Sequence, residues 1–227
     1  MYLKLLKNNA KISYAQCGED LIVDFIFQAL KTPVQSYLDL GAHHPTYLSN
    51  TFYFYQKGCS GVCVEPDPAL CRNLKKARKR DICLNVGVGV NGADKAKFYL
   101  MSTKTLSTFS QAEAERYVSY GHQKIQNVIE LPLVSIHDLL KENFKLSPNF
   151  VSLDVEGLDL DIVKNFPFSH VRPEVFCIET ITYTENNSER KLQEIIDCME
   201  KNGYLTYADT YINTIFVNRS AWNKRPI

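Results

Sequence analysis

The sequence lacks an apolar run long enough to span a membrane, and its N-terminus has no apolar core of the signal-peptide type. It also lacks an excess of either charge, because 26 lysines and arginines stand against 25 aspartates and glutamates, for a net charge of +1. A nearly neutral chain has no general attraction to nucleic acid or to a lipid surface. These absences predict a cytoplasmic protein without a membrane span, and they argue against nucleic acid as a partner.

Paired cysteine motifs are missing too. The seven cysteines are odd in number and scattered, and none has the spacing of a zinc site or of a C-x-x-C pair. Cys63, Cys83 and Cys177 lie in apolar runs, which is typical of buried free thiols. The chain also has no repeat, linker or low-complexity segment. The length of 227 residues therefore predicts a single domain, residues 1–227. The unpaired cysteine pattern predicts a reducing compartment.

What the chain does contain is a series of short apolar runs that end at acidic residues. The acids and their runs are Asp39 in 36–40, Glu65 after 61–64, Asp154 after 149–153 and Glu179 after 174–178. Helical patterns separate these runs, and two further runs at 204–207 and 214–217 predict a terminal hairpin. The order predicts an α/β fold with a doubly wound sheet, helices on both faces and an antiparallel end. Ligands bind beyond the carboxyl ends of the strands in such a sheet.

The loop after the first run has a single glycine, Gly41, where the dinucleotide fingerprint requires three. This argues against a nicotinamide-dependent oxidoreductase and favours a nucleoside without phosphates, of which S-adenosylmethionine (SAM) is the usual example. Glu65 follows Gly41 at roughly the 20-residue distance that suits an acid binding both ribose hydroxyls. Asp39 precedes the turn, where it can meet a cationic group. The alternative is an ordinary strand–helix turn without a ligand.

Apolar residues at helical spacing predict three helices, at 21–30, 46–57 and 188–202. The first presents Ile22, Phe25, Ile26 and Ala29, and the last is expected to be capped by Ser188. The aromatic residues of the second, Tyr47, Phe52, Tyr53, Phe54 and Tyr55, are interpreted as core. Asp67 and Pro68 are typical of the first turn of another helix.

Two polar segments and one basic cluster remain. Residues 1–15 are expected to form a loose N-terminal arm, and residues 102–124 an insertion on the acceptor side of the pocket. A basic cluster lies within 72–80: Arg72, Lys75, Lys76, Arg78, Lys79 and Arg80. We interpret it as a solvated helix face. The alternative is an RNA-binding surface, and with it an RNA methyltransferase.

Five motifs, in this order, resemble the FkbM family of SAM-dependent methyltransferases over residues 13–217. They are Ser13-Tyr14-Ala15-Gln16-Cys17-Gly18-Glu19-Asp20, Leu38-Asp39-Leu40-Gly41-Ala42-His43-His44-Pro45, Ser49-Asn50-Thr51, Val64-Glu65-Pro66-Asp67 and Leu153-Asp154-Val155-Glu156-Gly157. The resemblance implies a Rossmann-like class I methyltransferase sheet of about seven strands, the last antiparallel. It also implies O-methylation of a hydroxyl on a sugar, a glycan or another small molecule. His43-His44-Pro45 departs from the Asn and second Gly that many members carry.

The resemblance assigns cofactor contacts position by position. Gln16 and Glu19 would close over SAM from the N-terminal helix, unless they only cap that helix. The other implied contacts are Asp39 and Gly41 for the methionine part, Glu65 for the ribose, Asn85, Val86 and Gly87 for the adenine, and Asp154 for the methyl group. Ala42 and Pro66 are also predicted to bind the cofactor.

A hydroxyl acceptor also calls for a general base. Asp154 or Glu156 is the favoured candidate, and His43 and His44 compete with them unless each is simply a loop residue bonded to the backbone. Asp154, Glu156 and Glu179 offer oxygen ligands that suit Mg²⁺ or Ca²⁺, so a divalent cation is possible but not expected. A further alternative is a non-catalytic relative that acts as an interaction protein.

Overall fold

The computed structural model describes residues 10–155, 157–181 and 189–226. Within them the strands are β1 (Ser36–Leu40), β2 (Ser60–Val64), β3 (Ile82–Leu84), β4 (Gly87–Gly89), β5 (Lys95–Met101), β6 (Ile125–Ser135), β7 (Phe150–Leu153), β8 (Val175–Glu179), β9 (Tyr204–Asp209) and β10 (Asn213–Asn218). The helices are α1 (Glu19–Leu30), α2 (Phe52–Gln56), α3 (Pro68–Ala77), α4 (Gln111–Ser119), α5 (Ile136–Asn143), α6 (Asp159–Asn165), α7 (Gln193–Lys201) and α8 (Arg219–Asn223).

Seven strands form the main sheet in the order β3-β2-β1-β7-β8-β10-β9. The first five are parallel, and β10 runs antiparallel to both β8 and β9. Renumbered within the sheet, this is the order 3-2-1-4-5-7-6 with an antiparallel seventh strand. The predicted doubly wound sheet and its terminal hairpin are therefore confirmed.

The central strands are buried on both faces, which explains why the sequence shows continuous apolar runs there instead of alternation. β7 and β10 are buried at every residue. One core cluster packs α5, α6 and α7 on one face of the sheet, and another packs α1 and Phe54 on the other. In the parallel register, Leu40 pairs with both Val64 and Leu153. The residues that follow these three strands consequently meet at one edge.

A smaller sheet, β4-β6-β5, follows β3 in the chain and precedes β7. Its β5 and β6 are antiparallel, and the segment between them folds back on β5 through a bridge between Tyr99 and Thr108. The predicted polar insertion at 102–124 is thus ordered: it contains a 3₁₀ turn at Lys104–Leu106 and helix α4, which Ser110 caps. A small cluster of its own, including Met101 and Tyr117, holds it together.

Several local predictions were wrong. In α1 the buried face contains Val23, Ile26 and Phe27, whereas Phe25 is 57% exposed. The helix predicted at 46–57 is only α2, because the chain adopts positive φ angles at His43 and Leu48 and turns repeatedly before Thr51. Of its aromatic residues only Phe54 is buried.

The other two corrections concern segment ends. α7 begins at Gln193, with Leu192 at its N-cap, so the helix is shorter than predicted; the predicted cap Ser188 lies outside the described residues. Residues 13–14 are not loose, because Ser13 Oγ and the Tyr14 N–H both donate to the Asp20 carboxylate, at 2.6 and 2.7 Å. Residues 1–9 of the predicted arm lie outside the described residues.

All seven cysteines are free thiols, as expected. In the part of the chain that the structure describes, no helix is long and apolar enough to cross a membrane.

Candidate cofactor and active site

A cavity of about 610 Å³ opens at the carboxyl edge of the parallel strands. This volume lies in the range of pockets for small molecules and cofactors. Its polar wall includes Gln16, Gly41, His43, Asn50, Glu65, Lys104, Asp154, Glu179, Glu189 and Asn213. Its apolar wall includes Val88, Phe98, Leu106, Phe109, Val155, Leu158 and Ile162. The cavity therefore joins the ends of β1, β2, β7 and β8 to the segment that follows β5.

Gly41 links the first loop to the end of β7. It has a φ of +83°, and a Cβ placed there would lie 1.7 Å from the backbone oxygen of Asp154. The glycine is thus required because the loop passes directly over the Asp154 carbonyl. The N–H groups of Gly41 and Ala42 both donate to the Val64 carbonyl, at 3.0 and 3.1 Å. Ala42 is buried and does not line the cavity.

Glu65 lies in the cavity wall directly after β2. One carboxylate oxygen accepts the His43 N–H at 2.7 Å, and the other accepts the Asp67 N–H at 2.7 Å. Burial raises the pKa of Glu65 to about 7, although these two hydrogen bonds oppose the shift. Each carboxylate oxygen has a second lone pair. Glu65 is consequently fixed in place while it can still accept hydrogen bonds from a ligand.

Three carboxyl groups cluster at the ends of β7 and β8. Burial raises the pKa of Asp154 to about 6, a hydrogen bond with Glu179 opposes this shift, and nearby Asp39 adds to it. Asp159, at the start of α6, has a pKa raised to about 7 by burial and by Asp154. Its carboxylate accepts the Val155 N–H at 3.1 Å, which fixes the backbone just after Asp154. Asp154 and Glu179 line the cavity, whereas Asp159 supports the turn from behind.

The two histidines occupy different environments. His44 accepts the Thr46 and Tyr47 N–H groups at Nδ1, at 3.2 and 2.9 Å, and it does not line the cavity. It is therefore a loop residue bonded to the backbone, as the alternative interpretation had it, and the structure does not bring it to the cavity with the other candidate bases. His43 does line the cavity, and burial lowers its pKa. Among the described residues its buried Nδ1 atom has no hydrogen-bond partner.

His43 lies next to the ribose-binding candidate, because its backbone N–H donates to the Glu65 carboxylate at 2.7 Å. Its side chain lines the same cavity as Asp154 and Glu179. His43 therefore stays a prediction as a base.

Asp39 does not line the cavity, contrary to the prediction that it contacts the methionine part. Its carboxylate accepts a 2.5 Å hydrogen bond from Thr51 Oγ1 and lies 3.9 Å from the Arg78 guanidinium. Arg78 is fully buried, so its placement on a solvated basic face was also wrong. The other members of that cluster, Arg72, Lys75, Lys76, Lys79 and Arg80, are exposed.

Arg78 fixes the loop that precedes α2. Its guanidinium donates to the Pro45 carbonyl, to Ser49 Oγ and to Thr51 Oγ1, at 2.9, 2.5 and 2.7 Å. Asn50, between the last two, lines the cavity and donates to Ser152 Oγ at 3.1 Å. Asp39 was expected to meet a cationic group, and in the structure that group is the Arg78 guanidinium.

Gln16 and Glu19, both predicted to close over SAM from α1, lie in different environments. Gln16 lines the cavity and is exposed. Glu19 is fully buried and does not reach it: one oxygen accepts the Cys17 N–H at 2.7 Å, and the other accepts Thr210 Oγ1 at 2.7 Å and Asn213 Nδ2 at 3.0 Å. Glu19 therefore ties α1 to the turn between β9 and β10 and to the residues just before the helix, and the helix itself has no side-chain cap.

The predicted adenine contacts lie behind the cavity wall. Asn85 Nδ2 donates to the carbonyls of Glu65 and Pro66, at 2.9 and 2.7 Å, and so fixes the backbone beside the cavity. Pro66 lines the cavity, whereas Asn85, Val86 and Gly87 do not. A Cβ on Gly87 would lie 2.3 Å from the Phe109 ring, which itself lines the cavity.

Segment 103–109, from the predicted insertion, covers this end of the cavity. Lys104 Nζ lies 3.0 Å from Asp67 Oδ2, and the Phe98 and Phe109 rings are 4.7 Å apart. Lys104 lowers the pKa of Asp67 against the opposing effect of burial. This part of the insertion lies next to β2 and β3, so it contacts the side predicted for the nucleoside instead of the acceptor side.

Glu156, predicted as a base and as a metal ligand, lies outside the described residues. Among the residues that are described, no three His, Cys, Asp or Glu side chains are grouped as a metal site. Sequence reasoning missed Arg78, Asp159, Lys104 and Phe109. Of these, only Asp159 had a local signal, since an acid at the start of a helix directly after an acid-tipped strand is well placed to fix the intervening turn.

The sheet is Rossmann-like, and the cavity lies where such sheets bind their ligands, beyond the carboxyl ends of the parallel strands. Residues 39–206, well over half of the chain, match the family model described as the methyltransferase FkbM domain. The chain belongs to this family, and SAM is its cofactor. No curated protein matches the chain.

Three solved structures illustrate what the chain is similar to. A methyltransferase FkbM from Methylobacillus flagellatus is 14% identical with a TM-score of 0.47, and the match covers 82% of this chain and 44% of that chain. A TehB-like SAM-dependent methyltransferase from Corynebacterium glutamicum is 9% identical with a TM-score of 0.43, over 96% and 94% of the two chains. A sugar N-methyltransferase from Streptoalloteichus is 8% identical with a TM-score of 0.43, over 96% and 93%.

The residues present fit SAM. Glu65, Asp154 and Glu179 give the cavity an acidic lining, which suits a cationic sulfonium nucleoside. Two groups in the cavity wall can still bond to a ligand. The buried Nδ1 atom of His43 has no hydrogen-bond partner among the described residues, and each Glu65 carboxylate oxygen has a second lone pair.

Proposed function

We propose that the protein is an O-methyltransferase that moves the methyl group of SAM to a hydroxyl of a sugar, a glycan or another small molecule. The observation that carries the proposal is the Asp154–Glu179 pair in the cavity wall, where the pKa of Asp154 is raised to about 6. A base with a pKa slightly below neutral is ionised at pH 7 and is still basic enough to accept a hydroxyl proton during transfer.

Bound SAM supplies an electrophilic methyl group, and the protein has to align the acceptor oxygen with it. Asp154 accepts the hydroxyl proton as that oxygen attacks. Glu179 shares a hydrogen bond with Asp154 and thereby helps to hold that carboxyl group in the cavity wall. Asp159 fixes the backbone of the turn and thereby the direction of Asp154. Positioning of this kind contributes several kcal/mol to methyl transfer.

For the cofactor itself we propose Glu65 as the ribose ligand, with Gly41, Pro66, His43 and Asn50 around it. Glu65 and Pro66 are held by Asn85 from behind, and Phe98 and Phe109 form an aromatic wall next to them. Such a wall suits the flat face of adenine. We assign Asp39, Ala42 and Glu19 supporting roles, because their side chains face the protein interior. We further propose that residues 1–227 act as one domain in the cytoplasm.

The test is methyl transfer from labelled SAM to fractionated nucleotide sugars and glycans, with the product bond identified by mass spectrometry. Transfer to oxygen is expected, and kcat should fall about 10²–10⁴-fold in Asp154→Asn. Glu130→Gln is the matched control, since Glu130 is an exposed acid paired with Lys95 on the surface. Transfer to nitrogen alone, or an unchanged kcat in Asp154→Asn, would contradict the proposal.

A further inference from the structure

Tyr211 lines the cavity while it is 64% exposed. It lies in the turn between β9 and β10, at a φ of +76°. This left-handed region is unfavourable for a bulky side chain, and residues held there persist only when their surroundings enforce it. A glycine would form the same turn without strain, so the tyrosine side chain is retained at a conformational cost.

The turn that carries Tyr211 is fixed on both sides. Its own N–H donates to Asp209 Oδ1 at 2.7 Å, and the Thr210 N–H donates to the Asn213 carbonyl at 2.9 Å. The Ile212 carbonyl accepts the Thr180 N–H at 2.9 Å, one residue beyond Glu179. Buried Glu19 holds Thr210 and Asn213 from below, as described above. The backbone that carries Tyr211 is consequently fixed close to Glu179, which pairs with Asn213 across the sheet.

The strand pairing places this ring near the proposed catalytic pair. Glu65, Pro66 and segment 103–109 belong together through the Lys104–Asp67 ion pair and the close approach of Phe109 to Gly87. Asn213 pairs with Glu179 across β10 and β8, and the turn at 211–213, Gln16 and Glu189 also line the cavity. With the nucleoside assigned to the Glu65 group, the residues around Glu179 are left for the methyl acceptor.

We propose that Tyr211 is the stacking platform of the acceptor subsite, and that this subsite takes a pyranose ring. The C–H groups on one face of the ring pack against the phenol ring, whose π face attracts their partial positive charge. Gln16 and Glu189 are placed to bind ring hydroxyls, since an amide both donates and accepts and a carboxylate accepts. This inference rests on the proposed O-methyltransferase function and specifies its acceptor.

The experiment measures methyl transfer from labelled SAM to a set of methyl pyranosides, with sorbitol as a polyol that has no ring. For the best pyranoside, Tyr211→Ala should raise the acceptor KM about 10-fold, because a stacking contact is lost, while the Kd for SAM changes little. Tyr211→Phe should recover most of the loss. Tyr211→Gly should show the same raised KM but an equal or higher Tm, because the backbone strain is removed. Tyr47→Ala is the matched control, since Tyr47 is 63% exposed and lies outside the cavity wall.

The outcomes separate this inference from the proposed function. Methylation of a pyranoside hydroxyl with an unchanged KM in Tyr211→Ala would overturn the platform and leave O-methyltransfer intact. Equal kcat/KM for sorbitol and for the pyranosides would also overturn it, because stacking on a sugar ring would then contribute nothing to acceptor binding. Transfer only to a sugar amine would overturn O-methyltransfer, and the same KM comparison would still decide the role of Tyr211. Transfer to no pyranoside at all would overturn the platform.

Discussion

The Arg78 guanidinium lies 3.9 Å from the Asp39 carboxylate, and both side chains are almost completely shielded from solvent. A second carboxylate, Asp81, lies 3.5 Å from the same guanidinium and is also buried. Arg78 therefore compensates two buried acids and at the same time holds the loop from Pro45 to Thr51. The same side chain thus neutralises the buried acids and fixes the loop beside the cofactor cavity.

Replacing Arg78 with leucine is expected to destabilise the protein by about 3–5 kcal/mol, because Asp39 and Asp81 would be left buried without a cation. Urea or guanidinium unfolding measures this. Arg72→Leu, an exposed arginine of the preceding helix, is the control and should change the free energy of unfolding by no more than about 0.5 kcal/mol. An equal effect of the two substitutions would contradict the role of Arg78.

The Glu65 carboxylate predicts a pH-dependent affinity for SAM. Its pKa is about 7 in the unliganded protein, and a cationic ligand favours the ionised form. The affinity is therefore expected to increase as the pH rises from 6 to 8, with proton release on binding below pH 7. Calorimetry in buffers of different ionisation enthalpy measures both effects.

Glu65→Gln tests the assignment. It keeps one acceptor oxygen but removes the charge, so SAM binding should weaken by roughly 1.5–3 kcal/mol and lose most of its pH dependence. Glu130→Gln should leave both unchanged. If Glu65→Gln kept the pH dependence of the wild type, another group would be responsible and the ribose assignment would lose its support.

Gly41 and Gly92 form a matched pair for a backbone prediction. Both have a positive φ, +83° and +76°, but only at Gly41 would a Cβ collide with another part of the chain, the Asp154 carbonyl. Gly92→Ala is expected to cost about 1–2 kcal/mol, the usual cost of the left-handed region. Gly41→Ala adds the collision, so it should cost more and also lower kcat by displacing Asp154. Equal losses of stability in the two variants would show that the close approach is not needed.

The sequence predicted the sheet and most of its binding edge because those features are local. A strand buried on both faces is a continuous apolar run, and an acid at its end is visible in the next residue. Asp154, Glu65 and Glu179 were found in this way, and the structure brings all three to one cavity. Asp67 and Pro68 at the start of α3 were equally local and are confirmed.

The errors arose where distant residues decide the outcome. Arg78 was assigned to the surface because its neighbours are basic and exposed, and nothing in residues 72–80 reveals that Asp39 and Asp81 surround it. The helix predicted at 46–57 has the right periodicity. Its first half is instead a loop whose Pro45 carbonyl, Ser49 and Thr51 hydroxyls bind that arginine. Tertiary hydrogen bonds thus overrode local helical preference.

Three acids with raised pKa values also predict how stability changes with pH. Glu65, Asp154 and Asp159 have ordinary values of 4.5, 3.8 and 3.8 and folded values of about 7, 6 and 7. Between these limits these three groups hold protons in the folded protein that the unfolded chain has lost, so their contribution to the free energy of unfolding falls as the pH rises from about 4 to about 7. Asp24 and His43 oppose this trend, because their pKa values are lowered. Asp67 acts in the opposite sense, because its lowered pKa stabilises the fold above its ordinary value of 3.8.

The unliganded protein should therefore be most stable near pH 4–5, and saturating SAM should shift the maximum upward by favouring ionised Glu65. The measurement is guanidinium unfolding at fixed ionic strength from pH 4 to 8. Asp159→Asn keeps an oxygen that can accept the Val155 N–H but cannot titrate, so it should flatten the decline by up to about 1.4 kcal/mol per pH unit. Asp138→Asn, an exposed acid on α5, is the control. A stability that rises between pH 5 and 7 in the wild type would mean that these carboxyl groups are already ionised in the folded protein at pH 5. Their pKa values would then not be raised, and Asp154 would be a weaker base than proposed.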